Sequence, residues 1–144
     1  MSNDRPFNIL LVEDDPADAF LARTAIRESK LLCEVHHMND GDKALSFLRH
    51  QGDYAAVPRP DLVLLDLNMP GRDGRQVLSE IKADQALRDI PVVILTTSDA
   101  SSDIKTCYAA GANSFVTKPV DLDGFLRAMR SIEDYWFEVV RLPH

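Results

Sequence analysis

Two apolar runs in this chain end on acids. "ILLVEDD", Ile9 to Asp15, closes on Glu13, Asp14 and Asp15, and "VLLD" closes on Asp66 before "LNMPGRDG" turns into Pro and Gly. Carboxylates that share one crevice repel one another, so a fold that keeps them ionised needs a cation there. Oxygen-only ligands suit Mg2+ or Mn2+, with a carbonyl and waters completing an octahedron. Asn68, two residues past Asp66, can offer that backbone carbonyl. A carboxylate such as Asp66 is also a competent phosphoryl acceptor, forming an acyl phosphate where a metal and nearby donors neutralise the charge on the transferred group. Lys118, at the end of "NSFVTK", supplies a point charge, and Thr96, in "PVVILTT", supplies a hydroxyl donor.

These residues have to be brought together by the elements that carry them. Five apolar runs have strand length: 7 to 12, 33 to 38, 61 to 66, 91 to 97 and 113 to 118. Three are nearly continuous Val, Ile and Leu, as expected when both faces of a parallel sheet are covered. Helical patterns lie between them. In "PADAFLARTAIRES" the residues Phe20, Leu21, Thr24, Ala25 and Glu28 follow three-and-four spacing, with Pro16 suited to a first turn. Ala44, Leu45 and Leu48 form the next stripe, and Val77, Leu78 and Ile81 the third. "SSDIKTCYAAG" opens on serine caps and closes on Gly111. A last helix starts near Asp121 and carries Leu122, Phe125, Leu126, Met129, Ile132, Trp136 and Val140 in one register. Strand and helix alternating five times predict an α/β fold, a (βα)5 chain wound on both faces of a five-stranded parallel sheet. Ligands of such sheets bind beyond the carboxyl ends of the strands, near the point where strand order reverses. Glu13, Asp14, Asp66, Thr96 and Lys118 all fall on that edge.

Composition bounds the remaining possibilities. With 144 residues, 45% hydrophobic and 27% charged, the chain is expected to form one domain over 1–144, with an extended last helix and tail from about 121 to 144. A net charge of -7 argues against nucleic acid or an anionic membrane as partner, since phosphates are bound through clustered Lys and Arg. Cys33 and Cys107 stand in neither a CxxC spacing nor a dense framework, which suits free thiols in a reducing compartment. The N-terminus has no signal-like apolar core, and no apolar stretch approaches the roughly 20 residues that cross a bilayer. A soluble, cytoplasmic protein is the expectation.

Four motifs, "ILLVEDDP", "LVLLDLNMPGRDG", "PVVILTTS" and "SFVTKP", occur in this order, each at the end of a predicted strand. Together they resemble the receiver domain of two-component response regulators over essentially the whole chain. The resemblance implies the flavodoxin-like receiver fold, with Asp66 as phosphoacceptor for a histidine kinase and no activity as an enzyme beyond accepting and losing its own phosphoryl group. It implies that Mg2+ is held by Asp14 directly, Glu13 through water, Asp66, and the backbone carbonyl of Asn68. Thr96 and Lys118 would bind the phosphoryl oxygens, Phe115 would be the aromatic switch residue, and the Lys118–Pro119 bond would be cis. Two positions depart from the family's pattern. Thr97 stands where receivers usually carry a very small residue, and Phe115 replaces the commoner tyrosine, so the switch would rest on packing alone.

The longer connection "RHQGDYAAVPRPD", the segment "KADQALRDIPVVILTTSD" and the tail "SIEDYWFEVVRLPH" further resemble the single-domain response regulators paired with bacterial phytochrome histidine kinases. With no output domain, the signal would pass to an unknown downstream protein through altered contacts or phosphotransfer. The resemblance also implies a homodimer using the fourth and fifth helices. Trp136 and Phe137 are candidates for its surface, since aromatic residues concentrate at interface cores; they fit folding back on the domain's own core equally well.

Single features read more simply alone. Asp15 reads as a helix cap, and His36, His37, His50 and His144 have no ligand or relay spacing, the first two pointing to opposite faces of a strand. Three rival readings exist. A haloacid-dehalogenase-type phosphatase needs a second Asp two positions after its nucleophile, where this chain has Asn68. A flavodoxin-like FMN module needs a phosphate-cradling loop after the first strand, where this chain has "EDDP". A constitutive docking module that never takes up phosphate would have lost a phosphosite residue, and all are present.

Overall fold

The computed structural model describes residues 7–28, 33–67, 69, 74–96, 105, 109, 111, 112, 114–119 and 121–135, without the side chains of 96, 114, 115 and 133–135. Five strands, β1 (Phe7–Val12), β2 (Cys33–Met38), β3 (Leu62–Asp66), β4 (Val92–Thr96) and β5 (Ser114–Thr117), form one parallel sheet in the order β2-β1-β3-β4-β5. The helices are α1 (Pro16–Arg27), α2 (Gly41–Leu48), α3 (Gly74–Ala83) and the C-terminal α4 (Leu122–Tyr135). The helix expected before Gly111 lies mostly outside the described residues; Lys105 and Ala109 are helical. The fold is the doubly wound parallel α/β architecture that the alternation of apolar runs predicts, with the flavodoxin-like strand order that the resemblance implies.

Side chains alternate across the sheet, so each central strand feeds two cores. Leu10, Val12, Val63, Leu65, Val92 and Ile94 pack with α2 and α3 on one face. Ile9, Leu11, Leu62, Leu64, Val93 and Leu95 pack with α1 and α4 on the other. Burial on both faces is why these strands are written as continuous apolar runs.

Caps fix where the helices begin. Asp15 Oδ1 accepts from the Ala17 N–H at 3.1 Å, with Pro16 in the first turn. Asp40 Oδ1 accepts from the Lys43 N–H at 2.7 Å, and Asp121 Oδ1 from the Gly124 N–H at 2.8 Å. The apolar stripes predicted for α2, α3 and α4 are inward-facing wherever they are described.

Two expectations need correction. The buried face of α1 is Ala19, Ala22, Ala25 and Ile26, while Phe20 is 58% exposed. Small alanines let α1 lie close against the sheet and α4, so hydrophobicity per residue points to the wrong face of a tightly seated helix. No peptide bond among the described residues is cis, Lys118–Pro119 included; the intrinsic X–Pro preference is only about 0.5–1 kcal/mol, so local packing decides the isomer.

The long connection before β3 is tied down. It holds one 3-10 turn (Gly52–Tyr54), with the Tyr54 ring 5.6 Å from that of Phe47 and Arg59 donating to the Ala86 carbonyl at 2.6 Å.

Candidate functional site

Strand order reverses between β1 and β3, and the carboxyl ends of these two strands carry the acids. Asp66 is the last residue of β3 and Glu13 follows β1 directly; both are buried, at 3% and 2% exposure, while Asp14 is half-buried. Burying two carboxylates at a sheet edge is costly unless each is paired or hydrogen-bonded, and the surroundings supply partners. Lys118, just past β5, brings its ammonium to 2.7 Å from Glu13 Oε1, 3.2 Å from Asp66 Oδ2 and 3.0 Å from Asp18 Oδ2. Glu13 Oε2 also accepts from the Asp15 N–H at 3.1 Å.

The backbone is fixed as tightly as the side chains. The Glu13 N–H donates to the Met38 carbonyl, and the Glu13 carbonyl accepts from His37 Nε2 at 2.7 Å, so β2 holds the start of the acidic loop from two sides. Behind Asp66, the Gly74 N–H donates to the Leu67 carbonyl at 3.1 Å. A Cβ on Gly74 would lie 2.6 Å from Leu67 Cα and nearer still to the Asp66 carbonyl oxygen, so only glycine lets α3 start against the back of the phosphoacceptor candidate. Gly74→Ala is expected to lower unfolding free energy by about 2 kcal/mol, an overpacking cost larger than the helix propensity it gains, as read by urea denaturation.

Burial is the largest influence on Glu13, and the Asp66 charge adds to it; the Lys118 and Asp15 hydrogen bonds oppose them, and the net result is a carboxyl pushed up to about 7. Burial pulls Lys118 down, but its hydrogen bonds to Glu13 and Asp18 and the Asp66 charge outweigh that, holding the ammonium above the ordinary lysine value.

Does this donor set fit a cation? One carboxylate oxygen from each of Glu13, Asp14 and Asp66 lies within 4.8 Å of the other two. Ligands of an octahedral ion bound at about 2.1 Å are about 3 Å apart when adjacent and about 4.2 Å when opposite, so small side-chain adjustments complete the set. Three oxygens with no sulfur or imidazole select a hard divalent ion. The residues fit Mg2+ or Mn2+.

The structure thus brings Glu13, Asp14, Asp66 and Lys118 into one crevice. Thr96 ends β4, opposite Thr117 of β5, at the same edge of the sheet, and Phe115 lies within β5, opposite Ile94. Asn68, Thr97, Trp136 and Phe137 fall outside the described residues. Asp18 and His37 also belong to the site, through contacts to Lys118 and to the Glu13 carbonyl that the sequence does not reveal. An acid in the first turn of a helix reads as a complement to the helix dipole, and a histidine in a strand reads as a facing side chain; neither pattern announces a contact to a residue far along the chain.

A family model, the response regulator receiver domain, matches residues 9–130. The chain is 44% identical over 138 residues to response regulator Rcp1 of Synechocystis sp., covering 96% of this chain and 94% of that protein. Among solved structures, the phosphorylated cyanobacterial phytochrome response regulator RcpA superposes with a TM-score of 0.89 at 42% identity, covering 97% of this chain and 100% of the other. The Mn(2+)-bound form of Rcp1 gives 0.86 at 43% identity, covering 96% and 100%.

Proposed function

Because the chain belongs to the response regulator receiver family, whose members of this kind are signalling proteins rather than enzymes, we propose that it is switched by phosphorylation of Asp66, with a histidine kinase as phosphoryl donor. The observation that carries this reading is the Lys118 ammonium, 3.2 Å from the buried Asp66 carboxylate inside a cluster of three acids. Asp66 is the nucleophile: one of its oxygens attacks phosphorus as the bond to the donor's nitrogen or oxygen breaks, and the leaving group departs with the electron pair. Lys118 meets the transferred oxygens with a fixed positive charge, and Thr96 adds a hydroxyl donor. A divalent ion held by Glu13, Asp14, Asp66 and the Asn68 carbonyl would supply further neutralisation of the same charge. Burial of Asp66 limits water near the acyl phosphate.

The phosphorylated surface then differs in its partner affinity. Thr96 and Phe115 are the proposed relay, biasing two packings a few kcal/mol apart. The kinase is proposed to be of the bacterial phytochrome type, a reading supported by the phytochrome response regulator among the similar structures. A homodimer through the helix expected before Gly111 and the C-terminal helix α4, with Trp136 and Phe137 at its surface, a single-domain organisation and a cytoplasmic location complete the proposal. No described helix is long and apolar enough to cross a membrane.

Incubation with acetyl phosphate and Mg2+, read by intact mass, is expected to add one phosphoryl group. Chelating the metal should slow uptake by at least about a hundredfold, since each tenfold corresponds to only about 1.4 kcal/mol of lost charge stabilisation. Equal uptake in chelator would mean that the transfer to Asp66 needs no divalent ion.

A further inference from the structure

Lys118 is shared by three carboxylates, and only two of them belong to the proposed reaction. The third, Asp18, comes from the first turn of α1, a hundred residues away in sequence, and reaches the ammonium at 3.0 Å. An ammonium has three N–H donors, and here they face Glu13, Asp66 and Asp18. The two buried acids are also needed elsewhere, because each contributes an oxygen to the cation cluster, and Asp66 loses its free carboxylate when it is phosphorylated. Asp18 carries no such second role. It is not in the three-carboxylate cluster, and its side chain is the most exposed of the three, 24% against 3% and 4%.

We propose that Asp18 is the positioning residue for Lys118, the acceptor that holds the ammonium at the crevice while Glu13 and Asp66 turn toward the metal and the incoming phosphoryl group. This inference rests on the phosphoacceptor reading of Asp66. A long, flexible lysine side chain loses much rotamer freedom when fixed, and a charge-assisted bond from a rigid helix turn removes that cost before the donor arrives. Asp18 does not touch the reacting atoms. It acts by keeping one N–H occupied so that the other two point at the phosphoryl oxygens.

Two measurements test it. In the first, phosphoryl uptake from acetyl phosphate at saturating Mg2+ is timed by mass for the wild type, Asp18→Asn, Lys118→Met and the double variant. In this transfer the Asp66 oxygen–phosphorus bond forms, the phosphorus–oxygen bond to acetate breaks, and acetate leaves with the pair. Asp18→Asn is expected to be about tenfold slower than wild type, the size of one charge-assisted hydrogen bond. Adding it to Lys118→Met should slow uptake no further, which a general structural role for Asp18 would not produce. Equal or faster uptake by Asp18→Asn, or the same slowing in both backgrounds, overturns the proposal. The second measurement, also at saturating Mg2+ so that Glu13 and Asp66 are engaged by the ion, is the 15N-detected NMR signal of the Lys118 ammonium, which persists only where its N–H groups are held. It is expected in the wild type and should broaden or vanish in Asp18→Asn; an unchanged signal overturns the proposal. If the wild type takes up no phosphoryl group, the reading of Asp66 fails instead, while the ammonium signal still reports whether Asp18 holds Lys118.

Discussion

Lys118→Met is expected to unfold about 3 kcal/mol more easily than the wild type in chelator, because removing one partner from a buried ion cluster leaves uncompensated charge. Glu13 and Asp66 are nearly sealed from solvent and face the same ammonium at 2.7 and 3.2 Å. Methionine has a similar volume and flexibility to the lysine stem, so cavity formation adds little and the loss reports the charge. A divalent ion brings two positive charges to the same carboxylates. Added Mg2+ should therefore stabilise the variant more than the wild type and recover most of the deficit. Urea denaturation in Mg2+ and in chelator measures both. A loss below about 1 kcal/mol would place the pair in the class of weak, solvated ion pairs and would mean that Glu13 and Asp66 find other partners.

The second large effect is on chemistry. Asp66→Asn keeps the shape of the side chain, removes the nucleophile and removes one of three charges from the cation cluster. Phosphoryl uptake is expected to fall by at least about a thousandfold, the scale on which loss of a nucleophile is felt. Mn2+ affinity, read by calorimetry, is expected to weaken by about tenfold, or about 1.4 kcal/mol. The two readouts separate roles that one residue combines. Lost uptake with unchanged metal affinity would leave Asp66 as the acceptor and assign the cation to Glu13 and Asp14 alone.

The bounds of β1 and β2 coincide with the apolar runs at 7–12 and 33–38, and the other three strands differ from their runs by a residue or so at the ends. β1 is buried throughout and stops where the chain must return to solvent, so its limits are written in composition; β2, the edge strand, is only partly buried and carries Glu34, His36 and His37 among its apolar residues. The same logic placed Glu13, Asp14, Asp66 and Lys118 on one edge, since all four terminate or follow a strand. α1 was harder. Its inward face is three alanines and an isoleucine, and the phenylalanine that dominates its hydrophobicity points outward. The pattern records how apolar a face is; how closely a helix approaches its neighbours depends on small residues that look neutral.

Asp18, His37 and Gly74 were illegible for a different reason. Each acts through a contact that only the folded sheet creates: Asp18 with Lys118, His37 with the Glu13 carbonyl, Gly74 with the backbone behind Asp66. In sequence, Asp18 is a helix-start acid, His37 one of two adjacent histidines, and Gly74 part of a Gly-rich turn. Motif spacing identifies groups that share one strand end. It is silent on groups delivered sideways by a neighbouring strand or helix.

If Asp66 is the phosphoacceptor, the phosphoryl group can be located on it chemically. The protein, loaded from acetyl phosphate with Mg2+, is reduced with borohydride, which converts an acyl phosphate of aspartate to homoserine, and is then mapped by peptide mass spectrometry. Homoserine is expected at position 66 and nowhere else. Modification at Glu13 or Asp14, phosphate retained on a histidine such as His37, or no modification in a folded, metal-loaded protein would contradict it.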